Sequence, residues 1–323
     1  MLDRRTLIAG LPLVCVTGIR FAQGAAPLTL WGPPAAPSII LAQAIATGLP
    51  NAVAPDGAVF KVWKTPDEMR AGISSNTMEA VVVPSYVAAN LYNRGLGVRL
   101  LNILTDGLLH VVAPPGTAST IADLKGKRVA VPFRNDMPDY ILQRLLAAAG
   151  LSSGDLTIDY SGTPPEAVQM LLAGRADAAL LSEPAASAAI VRAKAAGKAL
   201  EHAIDCRKAW ASVSGHATIP QAGLAVTEKF AARIGKDGLG ALQNALETAL
   251  QTVRKDPQSA AAAAAPALGL PAPVIAQSMT TSNLVAHKVS AVRNDLASFF
   301  DVLMKSDPRI IGGKQLDDGF YAL

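Results

Sequence analysis

A stretch of sequence that recurs at a fixed offset must build the same local structure twice, and this chain contains one. Thr65-Pro66-Asp67-Glu68 returns 98 residues later as Thr163-Pro164-Pro165-Glu166. The register holds without a gap: Glu79-Ala80 falls on Asp177-Ala178, and the apolar run Val81 to Val83 falls on Ala179 to Leu181. Each copy reads as a helix opened by Thr-Pro, with proline in the first turn, followed by a strand covered on both faces. A second correspondence lies upstream at a slightly larger offset. Leu28 to Trp31 and Ser38 to Thr47 match Arg128 to Pro132 and Pro138 to Ala149, and both helices stop in Gly-Leu, at Gly48-Leu49 and Gly150-Leu151. Strands at Val59 to Lys64 and Leu156 to Tyr160 fit between these pieces.

Both halves therefore run strand, helix, strand, helix, strand, helix. That order predicts an α/β protein of two lobes, each a mostly parallel sheet flanked by helices, with a hinge between them. Ala113-Pro114-Pro115-Gly116 breaks the chain between the copies and marks the expected crossing. Glu201 to Trp210 reads as a return strand, residues 221–226 as a further strand, and the remainder as helix, including the alanines at 260–265. The expected division is residues 27–112 with 214–323 as the first lobe and 113–213 as the second, the C-terminal helices packing on the first.

Residues 1–26 read as an export signal. Arg4 and Arg5 precede an apolar stretch from Leu7 to Ile19, and Ala22, Gly24, Ala25 and Ala26 supply the small residues of a cleavage site. The Arg-Arg pair fits either a Sec or a twin-arginine route. Cys15 leaves with this segment, so Cys206 is the single thiol expected in the exported protein, with nothing to pair with. A mean hydropathy of +0.30 raises the question of a membrane span, yet beyond the N-terminus no apolar run reaches the roughly 20 residues that a spanning helix needs. The net charge is +4 and no basic cluster is interleaved with aromatics, which argues against a nucleic-acid partner. With two cysteines among 323 residues, a disulfide framework is excluded. The four histidines show no metal-ligand spacing, and no phosphate-cradling, dinucleotide-binding or nucleophile-elbow motif appears, so no cofactor or metal is expected.

Ligands of parallel α/β sheets sit beyond the carboxyl ends of the strands, where helix N-termini present free N–H groups. Two such sheets facing one another would enclose a small molecule between the lobes. Ile121-Ala122-Asp123-Leu124-Lys125-Gly126-Lys127-Arg128-Val129-Ala130-Val131, with Leu172-Ala173-Gly174-Arg175-Ala176-Asp177-Ala178 and Ser182-Glu183-Pro184, resembles the solute-binding proteins of ABC importers. The similarity is to the nitrate, sulfonate, taurine and thiamine-pyrimidine branch, the NMT1-like binders. It is strongest over residues 119–190. The resemblance implies a periplasmic-binding-protein type II fold and a monomeric periplasmic receptor that delivers a small organic solute (a sulfonate, carboxylate or pyrimidine-like molecule) to a permease and its ATPase, without catalysis. Two other readings stay open. One is an exported ligand-sensing subunit of a receptor. The other is an enzyme resembling pyrimidine synthases of the same fold, although the cysteine- and histidine-rich motif of those eukaryotic enzymes is absent.

The candidate contacts are the residues at strand exits. In the first lobe these are Trp31, Gly32, Ser38, Trp63, Pro84, Ser85 and Tyr86; in the second they are Phe133, Arg134, Asn135, Asp136, Ser182 and Glu183. Trp31 and Phe133 hold matching places in the repeat and could stack on a planar or apolar guest, or each could plug its own lobe. Arg134 suits a carboxylate or sulfonate, or is a solvated loop arginine. Ser38, Ser85, Asn135 and Asp136 read equally well as helix caps. Trp63 borders the cleft or belongs to the core. Glu183, a carboxylate before a proline, could accept from an amine or a ring nitrogen and would repel a bare oxyanion.

Overall fold

The computed structural model describes residues 26–323; the segment read as an export signal, Cys15 included, lies outside the described residues apart from Ala26. The first half of the repeat forms β1 (Leu28–Gly32), α1 (Pro37–Thr47), β2 (Ala58–Val62), α2 (Pro66–Ser74), β3 (Ala80–Pro84) and α3 (Ser85–Asn93). Three short strands follow, β4 (Val98–Leu100), β5 (Asn102–Thr105) and β6 (Leu109–Ala113). The second half comprises β7 (Arg128–Pro132), α4 (Met137–Ala148), β8 (Thr157–Ser161), α5 (Pro164–Leu172), β9 (Ala178–Ser182) and α6 (Ala185–Ala195). Then come β10 (Glu201–Asp205), α7 (Cys206–Ser214), β11 (Ala222–Thr227), α8 (Glu228–Lys255), α9 (Pro257–Leu268), α10 (Ala272–Ser278), β12 (Leu284–Lys288) and α11 (Arg293–Ser306).

The repeat survives down to single hydrogen bonds. Glu68, three residues beyond the Thr65 cap, accepts from the Lys64 N–H at 2.7 Å, and Glu166, three beyond Thr163, accepts from the Gly162 N–H at 2.8 Å. Each carboxylate thus satisfies a donor just ahead of its helix and sits on the positive end of the dipole. Strand pairing repeats as well: β1 lies parallel between β2 and β3, and β7 lies parallel between β8 and β9. Each trio then takes an antiparallel strand from elsewhere in the chain, β11 beside β3 and β6 beside β9. The result is two sheets, β12-β5-β11-β3-β1-β2 with β4 also on β11, and β10-β6-β9-β7-β8.

Alternation along the strands divides the core. Leu30, Val82 and Leu224 pack beneath α1, α8 and α9, where Ala260, Ala261 and Ala264 are fully buried. Val81 and Val83 face the other way, into a core that runs on through Met69 and Ile73 of α2 to Val129 and Val131 of the second sheet and Ile141 of α4. The remaining face of the second sheet, with Val112, Ala130 and Leu181, is covered by α5 and α6. α8 and α9 both lie against α1.

Three expectations need correcting. The passage between sheets comes between β5 and β6 and not at 113, because the apolar run Leu109–Ala113 is a buried strand of the second sheet. The turn signal there is Asp106-Gly107, with Gly107 at φ +117°. The strand expected over 201–210 ends at Asp205, whose carboxylate caps α7 by accepting from the N–H groups of Arg207 and Lys208. Cys206 and Trp210 are buried within that helix, and burial pushes the Cys206 thiol up to about 12. Finally, the C-terminal region is not all helix: β12 forms the edge beyond β5.

One close approach shapes the centre of the first sheet. Between β4 and β5 the chain shifts register against β11, and the buried Asn102 fills the gap, its side-chain oxygen accepting from the Leu224 N–H at 3.0 Å. The main chains come so near that a Cβ on Gly223 would stand 1.8 Å from the Asn102 carbonyl oxygen. Gly223→Ala should therefore cost about 3 kcal/mol, the upper end of overpacking penalties, read as a lower midpoint of denaturant unfolding. Gly240→Ala, with open space beside it on the exposed face of α8, should raise stability by about 0.5–1 kcal/mol through helix propensity alone.

Candidate functional site

The carboxyl ends of both sheets lead into helix N-termini: β1 into α1, β3 into α3, β7 into α4 and β9 into α6. These two mouths touch. The Ala36 N–H, at the start of α1, donates to the Glu183 carbonyl at the end of β9 at 2.9 Å. Arg70 of α2 reaches across to Asp136, the cap of α4, with Nη2 3.0 Å from Oδ2. The same nitrogen donates to the Tyr86 hydroxyl at 2.8 Å. Tyr86 in turn meets Tyr140 of α4 edge to face, with ring centroids 5.2 Å apart at 83°. Beside this group lies a cavity of about 520 Å³, lined by Arg70 of α2, Tyr86 and Asn90 of α3, Arg94 just past α3 and Tyr140 of α4, with Asp307, Arg309 and Ile310 behind.

The candidate residues divide by what they do in the fold. Ser38 and Ser85 are fully buried, Ser38 closing its own turn on Pro33 O and Ser85 donating across to Pro220 O, at 2.6 Å each. Gly32 makes room for this: a Cβ there would come within 2.4 Å of the Ser38 hydroxyl. Trp63 lies in the core with its indole N–H on Val82 O at 3.0 Å. Trp31 is half-buried on β1, Lys61 standing 5.6 Å from its ring centre, and its indole nitrogen is buried with no hydrogen-bond partner. Pro84 and Ser182 are half-buried at their strand ends. Asp136 is buried and accepts from the Met137 N–H at 2.7 Å as well as from Arg70.

Phe133 and Asn135 both adopt left-handed backbone, at φ +63° and +57°. A non-glycine residue there costs about 1–2 kcal/mol, and two in one four-residue connection make this the most strained segment of either mouth. Phe133 is half-buried, Arg134 lies over the Tyr160 ring of its own sheet at 5.2 Å, and Asn135 is exposed. Among the described residues, Tyr86 and Tyr140 are the aromatic rings that meet across this mouth.

Glu183 has no solvent exposure, and its carboxylate is engaged within the fold. Oε1 accepts from His202 Nε2 at 2.7 Å, Thr281 Oγ1 at 2.6 Å and Ser187 Oγ at 3.0 Å, while Oε2 accepts from the Ser187 N–H at 3.1 Å. The Thr281 carbonyl in turn accepts from Nε2 of the buried His110 at 3.1 Å, and the His110 and His202 rings meet at 4.7 Å. Among the described residues, no group of three His, Cys, Asp or Glu side chains is arranged to hold a metal ion.

Sequence reasoning missed Arg70, Tyr140 and Thr281. A signal for Arg70 was present: at the 98-residue offset it falls on Val168, which is buried. An arginine where its repeat partner is core marks a position with a different task.

Two mixed sheets that exchange one strand each and meet along the carboxyl ends of their strands define the two-lobed periplasmic-binding-protein type II fold. The chain matches the model of the NMT1-like family over residues 54–268 and belongs to that family. No curated protein matches it by sequence. Among solved structures it is similar to an ABC transporter protein from Parabacteroides distasonis, with TM-score 0.75 and 20% identity over 91% of this chain and 97% of that one. It is also similar to the periplasmic aliphatic sulphonate binding protein SsuA from Escherichia coli, with TM-score 0.70 and 17% identity over 91% of each chain. The alkanesulfonate-binding SsuA from Xanthomonas axonopodis pv. citri, bound to MOPS, gives TM-score 0.64 and 16% identity over 88% of this chain and 95% of that one.

The buried polar cluster fixes how stability responds to acid. Burial holds the His110 imidazole below its ordinary value of 6.5, the bond to Thr281 offsetting this only in part. The unfolded chain therefore takes up this proton first, so the group favours folding above pH 6.5 and favours it less as the pH falls towards its folded value. Burial raises the Glu183 carboxyl, but donation from His202, Thr281 and Ser187 outweighs it and leaves the group below its ordinary 4.5. Its contribution is present above that value and lost as the pH falls through the folded one. The melting midpoint should decline from pH 7 to 5 and again below pH 4.5, and His110→Gln should flatten the upper segment. Glu183→Gln, leaving donors mismatched in a buried site, should cost about 2–3 kcal/mol at pH 7, measured by denaturant unfolding.

Proposed function

We propose that this protein is the extracytoplasmic solute-binding component of an ABC importer, capturing a small organic solute (a sulfonate, carboxylate or pyrimidine-like molecule) in the cleft between its lobes and passing it to a permease and ATPase. The observation that carries this reading is the meeting of the two mouths, where α1 touches the end of β9 and where Arg70 and Tyr86 of one lobe meet Asp136 and Tyr140 of the other. Residues that touch only when the lobes are together give a ligand its hold by closure. The cavity of about 520 Å³ beside them is of the size that small-molecule sites occupy.

A receptor role, in preference to an enzyme, is supported by what the reactive groups are doing. The Glu183 carboxylate, the Asp136 carboxylate and the Cys206 thiol are each buried and engaged or inert. Arg70, Arg94 and Arg309 at the cavity, against Asp307, favour an anionic group on the solute. The export signal read in residues 1–26, and with it a periplasmic location, belongs to the same proposal.

Native mass spectrometry of the purified protein, followed by small-molecule identification, is the direct test, with a thermal-shift panel of sulfonates, carboxylates and pyrimidines beside it. A true ligand at one hundred times its Kd should stabilise the protein by about 2.7 kcal/mol and change its tryptophan fluorescence, and Trp31→Ala should weaken the binding. Arg70→Gln should weaken an anionic ligand by about 1.5–3 kcal/mol in isothermal titration. Failure of every compound class to bind, with turnover of any of them, would overturn the reading.

A further inference from the structure

All four histidines of the chain lie on or next to the segments that pass between the sheets. His110 and His202 meet beside Glu183, His287 of β12 stands with Nε2 3.9 Å from Asp106 Oδ2, and the exposed His216 comes three residues ahead of Ile219 in the second passage. Residues 281–287 cross the first passage among them as a strap. Thr281 O accepts from His110 Nε2 at 3.1 Å, Ser282 O from Thr105 Oγ1 at 2.9 Å and Asn283 O from the Asp106 N–H at 3.1 Å. The Asn283 side chain donates to Gly107 O at 2.6 Å, and Leu284 opens β12 opposite Thr105. Asn283 holds left-handed backbone at φ +45°, a conformation that persists only while its surroundings enforce it.

The hold at Thr281 depends on the charge of His110. A carbonyl only accepts, so Nε2 carries the ring hydrogen. Nδ1 is then bare, buried and without a partner in the protein, which a neutral ring tolerates. A second proton would enter at Nδ1 with no acceptor and would set a cation against the His202 ring, 4.7 Å away. The acids that face His110 are committed: Glu183 Oε1 already takes three donors, and Asp205 caps α7. At the other end of the strap the effect is opposite. A proton on the half-exposed His287 gains an ion pair with Asp106, which also faces Arg207 and Asp295. Acid therefore loosens the strap at Thr281 and not at His287.

We propose that residues 281–287 are a proton-operated strap on the hinge: with His110 neutral they bind the first passage, and protonation of that ring lets their leading end go. Glu183 keeps His202 and Ser187 throughout, so the sheets stay joined while the passage gains freedom. The meaning of this for uptake, a hinge stiffer near neutral pH than in acid, rests on the solute-capture reading, but the test needs no solute.

Hydrogen exchange of the Asp106 N–H, which Asn283 covers, measures the opening by NMR on the full-length protein once the intrinsic rate is divided out. If the released ring takes its proton at the ordinary 6.5 and the bound ring stays neutral, opening grows as 1 + 10^(6.5 − pH), about ten-fold from pH 7.5 to 5.5. Protection of this amide should fall by that factor, and about 1 M urea should leave it unchanged, because a local opening exposes little surface. His110→Gln keeps a donor for Thr281 O but cannot titrate, and its Asp106 protection should be the same at both pH values. Far-UV circular dichroism establishes that the variant is folded. A second reading uses the wild type alone: side-chain ¹⁵N spectra should show His110 neutral down to pH 5.5 with its hydrogen on Nε2. Three results would overturn the strap: protection that does not change with pH, the same loss in folded His110→Gln, or a urea dependence equal to that of the β7 amides, which marks whole-chain unfolding. A His110 ring protonated at pH 5.5 with the Asp106 amide still protected would overturn it as well. None of these touches the solute-capture reading, which the ligand panel tests separately.

Discussion

A carboxylate removed from water survives as an anion only if the protein supplies the donors that water supplied, and those donors must come from wherever the chain can bring them. Glu183 takes them from α6, from β10 and from Thr281. β10 belongs to the second sheet and α6 covers it; Thr281 lies just ahead of β12, an edge strand of the first. Its own backbone adds the Leu108 carbonyl, in the passage between the lobes, and the Ala36 N–H at the head of α1. One residue thereby fixes how the two sheets sit at the hinge. The same requirement explains why so many strand-exit side chains are not free. Ser38 and Asp136 each close the turn that carries them, and Ser85 ties its strand exit to the Pro220 carbonyl just ahead of β11.

The strand exchange is the second constraint. Each parallel trio would end at an open edge if it stood alone, and a strand that crosses from the other part of the chain covers it. Because β6 precedes the second trio and β11 follows it, the chain must pass between lobes twice, and the two passages bind each other: the Gln221 N–H donates to Thr105 O, and the Ile219 N–H to Asp106 O. A hinge of two hydrogen-bonded strands bends in one plane more easily than it twists. That restricts how the mouths can approach.

The sequence carried the repeated parts of this fold plainly, since apolar runs and Thr-Pro caps recur 98 residues apart and the Gly-Leu stops at a slightly larger offset, all of them local signals. It carried the non-repeated parts poorly. The Leu109–Ala113 strand looks like any buried run, and only its partner β9 decides to which sheet it belongs. Asp205 and Gly215 bracket α7 with ordinary cap chemistry, yet the apolar stretch around them reads as strand. For the site, position at a strand exit was legible, but what each side chain does there was not. Whether a serine or a carboxylate faces a ligand or the protein's own groups depends on partners about a hundred positions away, as Ser85 on Pro220 or Glu183 on Thr281 illustrates. Arg70 sits inside a helix turn and not at an exit, so the rule that found the others passed over it.

Magnitudes separate the two joints between the lobes. Arg70 keeps about a third of its side chain in water, and a pair with one exposed partner contributes about 1 kcal/mol at most. That biases an open–closed balance by about five-fold, which a ligand of ordinary affinity overcomes. The Glu183 cluster is of another order: breaking one partner of a fully buried charge costs about 3–5 kcal/mol, so it does not open in normal function. Under the proposed solute-capture role this inequality has a use: with the hinge as weak as the mouth closure would not be reproducible, and with the mouth as strong as the hinge no solute could enter. The fold makes both joints with one chemistry, a carboxylate at a helix N-terminus, surrounding a fully buried carboxylate with several donors in one case and leaving a third of the guanidinium side chain in water in the other.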